Sequence, residues 1–287
     1  MGRSLAMIMA LVLGGLLPSL SAFSFLIRWI LVFMLWSGFL SMPLSALAPE
    51  RSHLRLLAAW SIFPLAGWLL LRPLGPQAAI AGFLVGATPT ATAAPTITRL
   101  LGGKPGYVTV AFLGSNLLAM IGIPLVLLWM GAPLPDGAAR FLLENIAIVG
   151  LPLAMAAACH RAGWAKRLSP ATSKAIFPLW VAALCLASAK TVAFLSGSHN
   201  PPTVFVGIVV GTGLLCAAHF LVGRRIGGKE RALEAGQSLG QKNTMLTLWL
   251  GLASFGPLAA LGPASYVLWH NLWNAFQLAR ADTSVRK

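Results

Sequence analysis

The sequence predicts an all-α membrane protein: ten transmembrane helices in two inverted five-helix repeats, 1–135 and 136–287, forming one integral membrane domain. Three observations carry that expectation. Of 287 residues, 57% are hydrophobic and only 9% charged, whereas a soluble domain carries roughly 25% charged residues. The apolar residues fall into stretches of roughly 16–25, each long enough to cross a ~30 Å hydrocarbon core. Two of these stretches, one in each half, are interrupted by proline, glycine and polar residues.

In chain order the expected spans are 5–20, 23–47, 54–71, 77–101, 106–130, 141–159, 175–195, 204–222, 231–254 and 257–278. Arg3 before an apolar run ending in S-L-S-A gives the first the outline of a signal peptide. Removing it would leave nine spans and break the symmetry. Basic residues collect in the even connectors: Arg51 and Arg55, then Arg99 and Lys104, then Arg161, Lys166, Arg167 and Lys174, then Arg224, Arg225, Lys229 and Arg231. The odd connectors hold Arg72, Arg140 against Asp136, and His199. Lysine and arginine stay on the cytoplasmic side, so both termini are expected there, in a bacterial inner (cytoplasmic) membrane.

This placement also explains the net charge of +15. Short basic connectors beside apolar spans are topology signals, so the expected partner is the lipid bilayer and no nucleic acid. Cys159, Cys185 and Cys216 lie in or beside separate spans without CxxC or Cys/His spacing, which indicates neither disulfides nor a metal site. No cofactor is implied beyond a coupling ion, H+ or Na+. Oligomeric state is left open, since no sustained heptad appears.

The fourth span contains G-A-T-P-T-A-T-A-A-P-T at 86–96, with Pro89, Pro95 and four threonines, Thr88, Thr90 and Thr92 among them. Each proline removes a backbone donor and clashes with the preceding turn. Carbonyls freed at membrane depth must meet protein, water or an ion. The ninth span carries S-L-G-Q-K-N-T at 238–244, with Ser238, Gln241, Lys242 and Asn243. Interrupted spans at matching places in two inverted halves point to a transporter's midplane site. Asn116 in the fifth span and Asn271 in the tenth either line the same cavity or hydrogen-bond between helices. His219 and Glu144, near span ends, read as interfacial, and the ten tryptophans suit membrane-interface anchoring.

G-Q-K-N-T-M-L-T-L from Gly240, then L-A-S-F-G-P, then Y-V-L-W-H-N ending at Asn271, resembles the ninth and tenth helices of the bile acid:sodium symporter (BASS) family. Thr88-Pro89 with the following threonines and alanines, and L-L-G-G-K ending at Lys104, is similar to the family's fourth helix and its exit. The resemblance implies ten spans in inverted repeats, with helices four and nine unwound where they cross. It also implies a core of spans three to five and eight to ten, against a panel of spans one, two, six and seven. Sodium-coupled members read E-x-G-x-Q-N at the ninth-helix crossover. Aligning Asn243 and W-H-N puts Ser238 at the Glu position and Lys242 at the Gln position. Ala94-Pro95 falls where the family has a Ser-Asn pair. Another register lets Glu234 supply the missing acid.

Sodium needs hard oxygen ligands and a balancing negative charge; a lysine brings its own positive charge and repels the ion. The expectation is therefore a secondary transporter of a small organic anion working by alternating access, sodium-independent, with Lys242 in place of a sodium ion. Two other roles for Lys242 stand beside it: direct contact with the anion, or snorkelling to the interface. The alternatives in function are a sodium-coupled organic anion symporter using Glu234, a non-transporting membrane sensor, and an intramembrane enzyme. No GxSxG, His/Glu cluster or P-loop favours enzyme or ATP-driven chemistry. The crossover stretch has no cysteine of the kind arsenite efflux uses.

Overall fold

The computed structural model describes residues 2–41, 47, 49–129, 138–196 and 201–285. The expected repeat boundary at 135/136 lies outside them. Among the described residues the regular elements are all helical, in the order α1 Gly2–Leu16, α2 Leu26–Leu40, α3 Arg51–Leu71, α4 Pro76–Ala87, α5 Ala94–Leu100 and α6 Pro105–Trp129. They continue as α7 Ala138–Arg161, α8 Ala165–Leu195, α9 Pro202–Gly240, α10 Thr244–Leu250 and α11 Pro257–Val285. Among the described residues, four stretches are long and apolar enough to cross a membrane unaided: Arg51–Leu74, Pro105–Leu128, Ala165–Lys190 and Pro202–Gly240. Shorter apolar helices accompany them.

The surface has the inverted pattern expected in hydrocarbon. Val206, Val210, Leu214 and Leu221 of α9 are exposed at near-helical spacing, as are Ile62, Leu65 and Leu69 of α3 and Leu118, Ile121 and Leu125 of α6. Polar side chains such as Asn116, Thr212, His219, Gln237 and Lys242 are buried instead. A soluble protein rarely exposes contiguous apolar area on this scale. The chain is an all-helical protein built for a bilayer.

Local chemistry sets the element ends. α3 starts on a reciprocal cap in which the Glu50 backbone N–H donates to His53 Nδ1 at 2.8 Å and the Glu50 side chain accepts from the first turn. α4 follows Gly75 and opens on Pro76, which forfeits a donor the first turn leaves unpaired in any case. α9 itself contains the basic connector expected between the eighth and ninth spans: helical geometry fails at Gly228 and Arg231, and a Cβ on Gly223 would strike the Ala235 carbonyl, so the chain doubles back here as two helices joined by a turn. Its direction changes at Gly228, whose φ of 61° an L side chain rarely tolerates. After α10 a single π-helical turn, Gly251–Phe255, leads into Gly256 and α11.

Helix α1 packs on α8, and α2 on α7 and α8; α4 packs on α3 and α11, and α9 on α3, α6 and α11. The α3 and α4 backbones pass so closely that a Cβ on Gly67 would strike the Gly82 carbonyl, and one on Gly82 the Gly67 carbonyl. A Cβ on Gly86 would strike the carbonyl of Phe63. Small residues four apart allow such approach in membrane helices. It brings the end of α4 against α3 and so fixes where the chain breaks.

Candidate functional site

The two interrupted segments meet. Residues 88–93 leave the helix between α4 and α5, residues 241–243 leave it between α9 and α10, and the two run antiparallel. Ala91 N–H donates to the Gln241 carbonyl at 2.8 Å, and Asn243 N–H to the Pro89 carbonyl at 2.7 Å. Between these bonds Thr90 and Lys242 stand opposite each other. A strand-like bridge thus replaces the helical bonds that Pro89 removes.

The remaining freed groups are answered one by one. With no N–H on Pro89 and the Thr90 N–H given to Ser115 Oγ (3.0 Å), the helix returns no donor to Val85 or Gly86 in the usual register. Val85 O accepts from Thr88 N–H at 3.3 Å. Leu84 O accepts from the Thr88 hydroxyl at 2.6 Å, and Thr88 O from Trp60 Nε1 at 3.0 Å. Thr90 O accepts from Asn116 Nδ2 at 3.1 Å, while the Thr90 hydroxyl donates to Ser238 O at 2.6 Å. On the other strand, Gly240 O accepts from the Tyr266 hydroxyl at 2.9 Å. Unsatisfied backbone would cost several kcal/mol per group in hydrocarbon, which accounts for so many polar side chains at one depth.

Gly86 O is left to Lys242. The Nζ donates to it at 3.4 Å, longer than the usual 2.7–3.2 Å. Lys242 is 2% exposed, so it does not snorkel. Among the described residues no carboxylate forms an ion pair with it; the titratable side chains near it are the buried Cys216 and His219 of α9. His219 is buried, which corrects the interfacial expectation. Its ring stacks on Phe63 at 3.9 Å, Nδ1 faces the Tyr266 hydroxyl at 3.3 Å, and Nε2 has no partner among the described residues. The side chain of Glu144 lies outside the described residues.

The expected site residues divide into two groups. Thr88, Thr90, Asn116, Ser238, Gln241, Lys242 and Asn243 converge on the bridge, and Thr88 Oγ1 also pairs with Thr247 Oγ1 at 2.7 Å. Asn116 Oδ1 and Asn243 Nδ2 stay buried without a partner among the described residues. Thr92 is half-buried and turns toward Gly38 of α2. Asn271 is not brought in: its Nδ2 donates to Val267 O of its own helix at 2.7 Å. Glu234 also stands apart, accepting the Lys104 N–H at 3.0 Å.

Sequence reasoning missed the α11 residues that do take part. Asn274 Nδ2 donates to Gln241 Oε1 at 2.7 Å, and Gln237 Nε2 donates to Asn274 Oδ1 (3.2 Å) and Gln277 Oε1 (2.7 Å). Asn271, Asn274 and Gln277 recur every third residue, a spacing that shares a helix face. Gln237, in the last turn of α9, and Gln241, which caps it, are four apart. Those two periodicities together would have exposed the network. Two tryptophans expected at the interface, Trp60 and Trp249, are buried; Trp60 is spent on the break.

No protein-family model matches the chain, and no curated protein matches its sequence.

Proposed function

We propose that the chain is a secondary transporter of a small organic anion that works by alternating access, with Lys242 standing where a sodium-coupled relative would hold sodium. In this reading the ten spans form two inverted five-helix repeats. The α4–α5 and α9–α10 breaks are their equivalent fourth members. The N and C termini are cytoplasmic. The reading rests on one observation above others: a lysine buried at the crossing of two broken helices, donating to the Gly86 carbonyl and, among the described residues, paired with no carboxylate. Intramembrane ionisable residues mark ion or substrate pathways, and paired broken helices mark transport sites. The packing of α1 on α8 and of α2 on α7 and α8 is what a panel would need, while α7 also packs on α6, and α8 on α11, where panel and core would meet. Glu234, the acid a sodium-coupled mechanism would need, is engaged by the Lys104 N–H instead.

Chemically, the Nζ holds the Gly86 carbonyl more strongly when charged than when neutral, because hydrogen bonds from an ionised donor are roughly twice as strong. Proton exchange at that amine would couple the crossing to a proton gradient, or leave simple facilitated movement. The test is uptake of a panel of organic anions into proteoliposomes under imposed sodium or proton gradients, for wild type and Lys242→Gln. Wild-type flux indifferent to sodium, with a Gln variant that gains a sodium response or loses its pH response, is the expected result. Sodium-dependent wild-type uptake unchanged in Lys242→Gln would overturn the assignment.

A further inference from the structure

Behind the crossing, on the outer side of α3, α4 and α6, lies a groove of about 590 Å³. Trp60, Pro64 and Trp68 of α3 form one wall, Phe83 the floor, and Gly122 and Val126 of α6 the other wall. Leu65, Leu118 and Val126 on its rim are among the exposed apolar side chains, so it opens sideways toward hydrocarbon rather than toward the bridge. Trp60 to Trp68 is eight residues of helix, roughly 12 Å at 1.5 Å per residue, and the long axis follows α3.

Two further features say what fits. A Cβ on Gly122 would meet nothing within 4 Å, so the groove is open where α6 omits a side chain. One turn beyond Trp68, at the membrane-surface end of α3, the Arg72 guanidinium lies over the Trp68 ring at 4.8 Å. Arg72 is exposed, and among the described residues no carboxylate pairs with it. An apolar slot with a fixed cation at its interfacial end is complementary to a chain bearing an anionic head. A zwitterionic lipid offsets its phosphate with its own ammonium and so gains less from that cation, and a water-soluble anion has no use for the slot.

We propose that the α3–α4–α6 groove is an anionic-phospholipid site: one acyl chain lies along Trp60, Pro64 and Trp68, and Arg72 holds the phosphate. Because Trp60 also donates to Thr88 O, the bound chain touches the residue that closes the first break, and lipid occupancy bears on the crossing from behind. The inference does not depend on the transport reading.

The test uses the full chain reconstituted in vesicles of equimolar phosphatidylglycerol and phosphatidylcholine. It is then extracted in mild detergent, and the co-purified lipid is quantified by mass spectrometry. A surface cation contributes about 1 kcal/mol toward anionic lipid, roughly a five-fold preference. Wild type is expected to retain phosphatidylglycerol over phosphatidylcholine by about that factor. Arg72→Gln should erase the preference while still retaining lipid. Gly122→Leu, which fills the slot without a backbone clash, should retain little of either. Equal retention of the two lipids by wild type, or an unchanged ratio in Arg72→Gln, would overturn the proposal. So would displacement of the retained lipid by short water-soluble organic anions, which would make the groove a solute site. Arg72 is exposed, so its variant decides the matter even if Gly122→Leu folds poorly.

Discussion

Lys242→Met removes the charge at the crossing while keeping the length and most of the volume of the side chain. A lysine held at membrane depth costs on the order of 3 kcal/mol. Among the described residues its side chain makes one hydrogen bond, the 3.4 Å contact to Gly86 O, and losing so long a bond while leaving that carbonyl open costs about 1 kcal/mol, the low end for an abandoned acceptor. The difference favours the variant by about 2 kcal/mol. In a chain of this length 1 kcal/mol moves the midpoint by roughly 2–4 °C, so thermal unfolding in detergent should shift up by about 4–8 °C. The same protein in proteoliposomes should lose any response of flux to pH. A midpoint that falls by several degrees would refute the reasoning, because Lys242 would then be a structural tie. Stability gained together with coupling lost is the signature of a residue retained for work rather than for folding.

Three other outcomes follow from the same geometry. Gly82→Ala forces a Cβ onto the Gly67 carbonyl and should cost about 3 kcal/mol, the upper end for overpacking since backbone must move, read as a lowered unfolding midpoint. Asn116→Leu strips Thr90 O of its donor and should destabilise by about 1–3 kcal/mol, whereas Thr92→Val, off the bridge, should be nearly silent in the same assay. On the exposed side, Arg231 donates to Glu50 Oε1 from Nε and Nη2 at 2.9 and 2.8 Å, and this guanidinium holds the Glu50 carboxyl below its ordinary value of 4.5. A carboxyl with a lowered folded-state value stabilises above its unfolded value and loses that contribution as pH falls through the folded one. Glu50→Gln should therefore differ from wild type at neutral pH by under about 1 kcal/mol, less in high salt, and converge with it below pH 4.5 in urea titrations.

The parts of this fold written in local chemistry were legible. Pro89 with its threonines, and Gly240 with Gln241–Asn243, announced two breaks because proline and polar side chains act on their own stretch of backbone. What pairs with a break is not local. Nothing in the order of residues says that Asn243 N–H closes on Pro89 O, or that Trp60 answers Thr88 O. His219 stands near a span end along the chain, but its burial comes from Phe63 and Tyr266 on other helices, which no local pattern shows. Asn271 and Asn274 look alike along the chain, and only the packing of α11 on α9 separates the one that bonds its own helix from the one that reaches Gln241. The connector expected near 224–231 is present as a tight turn, since Gly228 and Arg231 leave helical geometry and Gly223 comes back against Ala235.

The bridge also bears on the timing of assembly. Thr90 donates to Ser238, 148 residues further on, and Gly86 waits for Lys242, 156 residues away. A ribosome delivers the first break to the membrane long before its counterpart exists. Until α9 and α10 arrive, Pro89 O and Gly86 O have no protein donor, so the α4–α5 segment must stay hydrated or be shielded by another protein during synthesis. The last third of the chain is what seals the first.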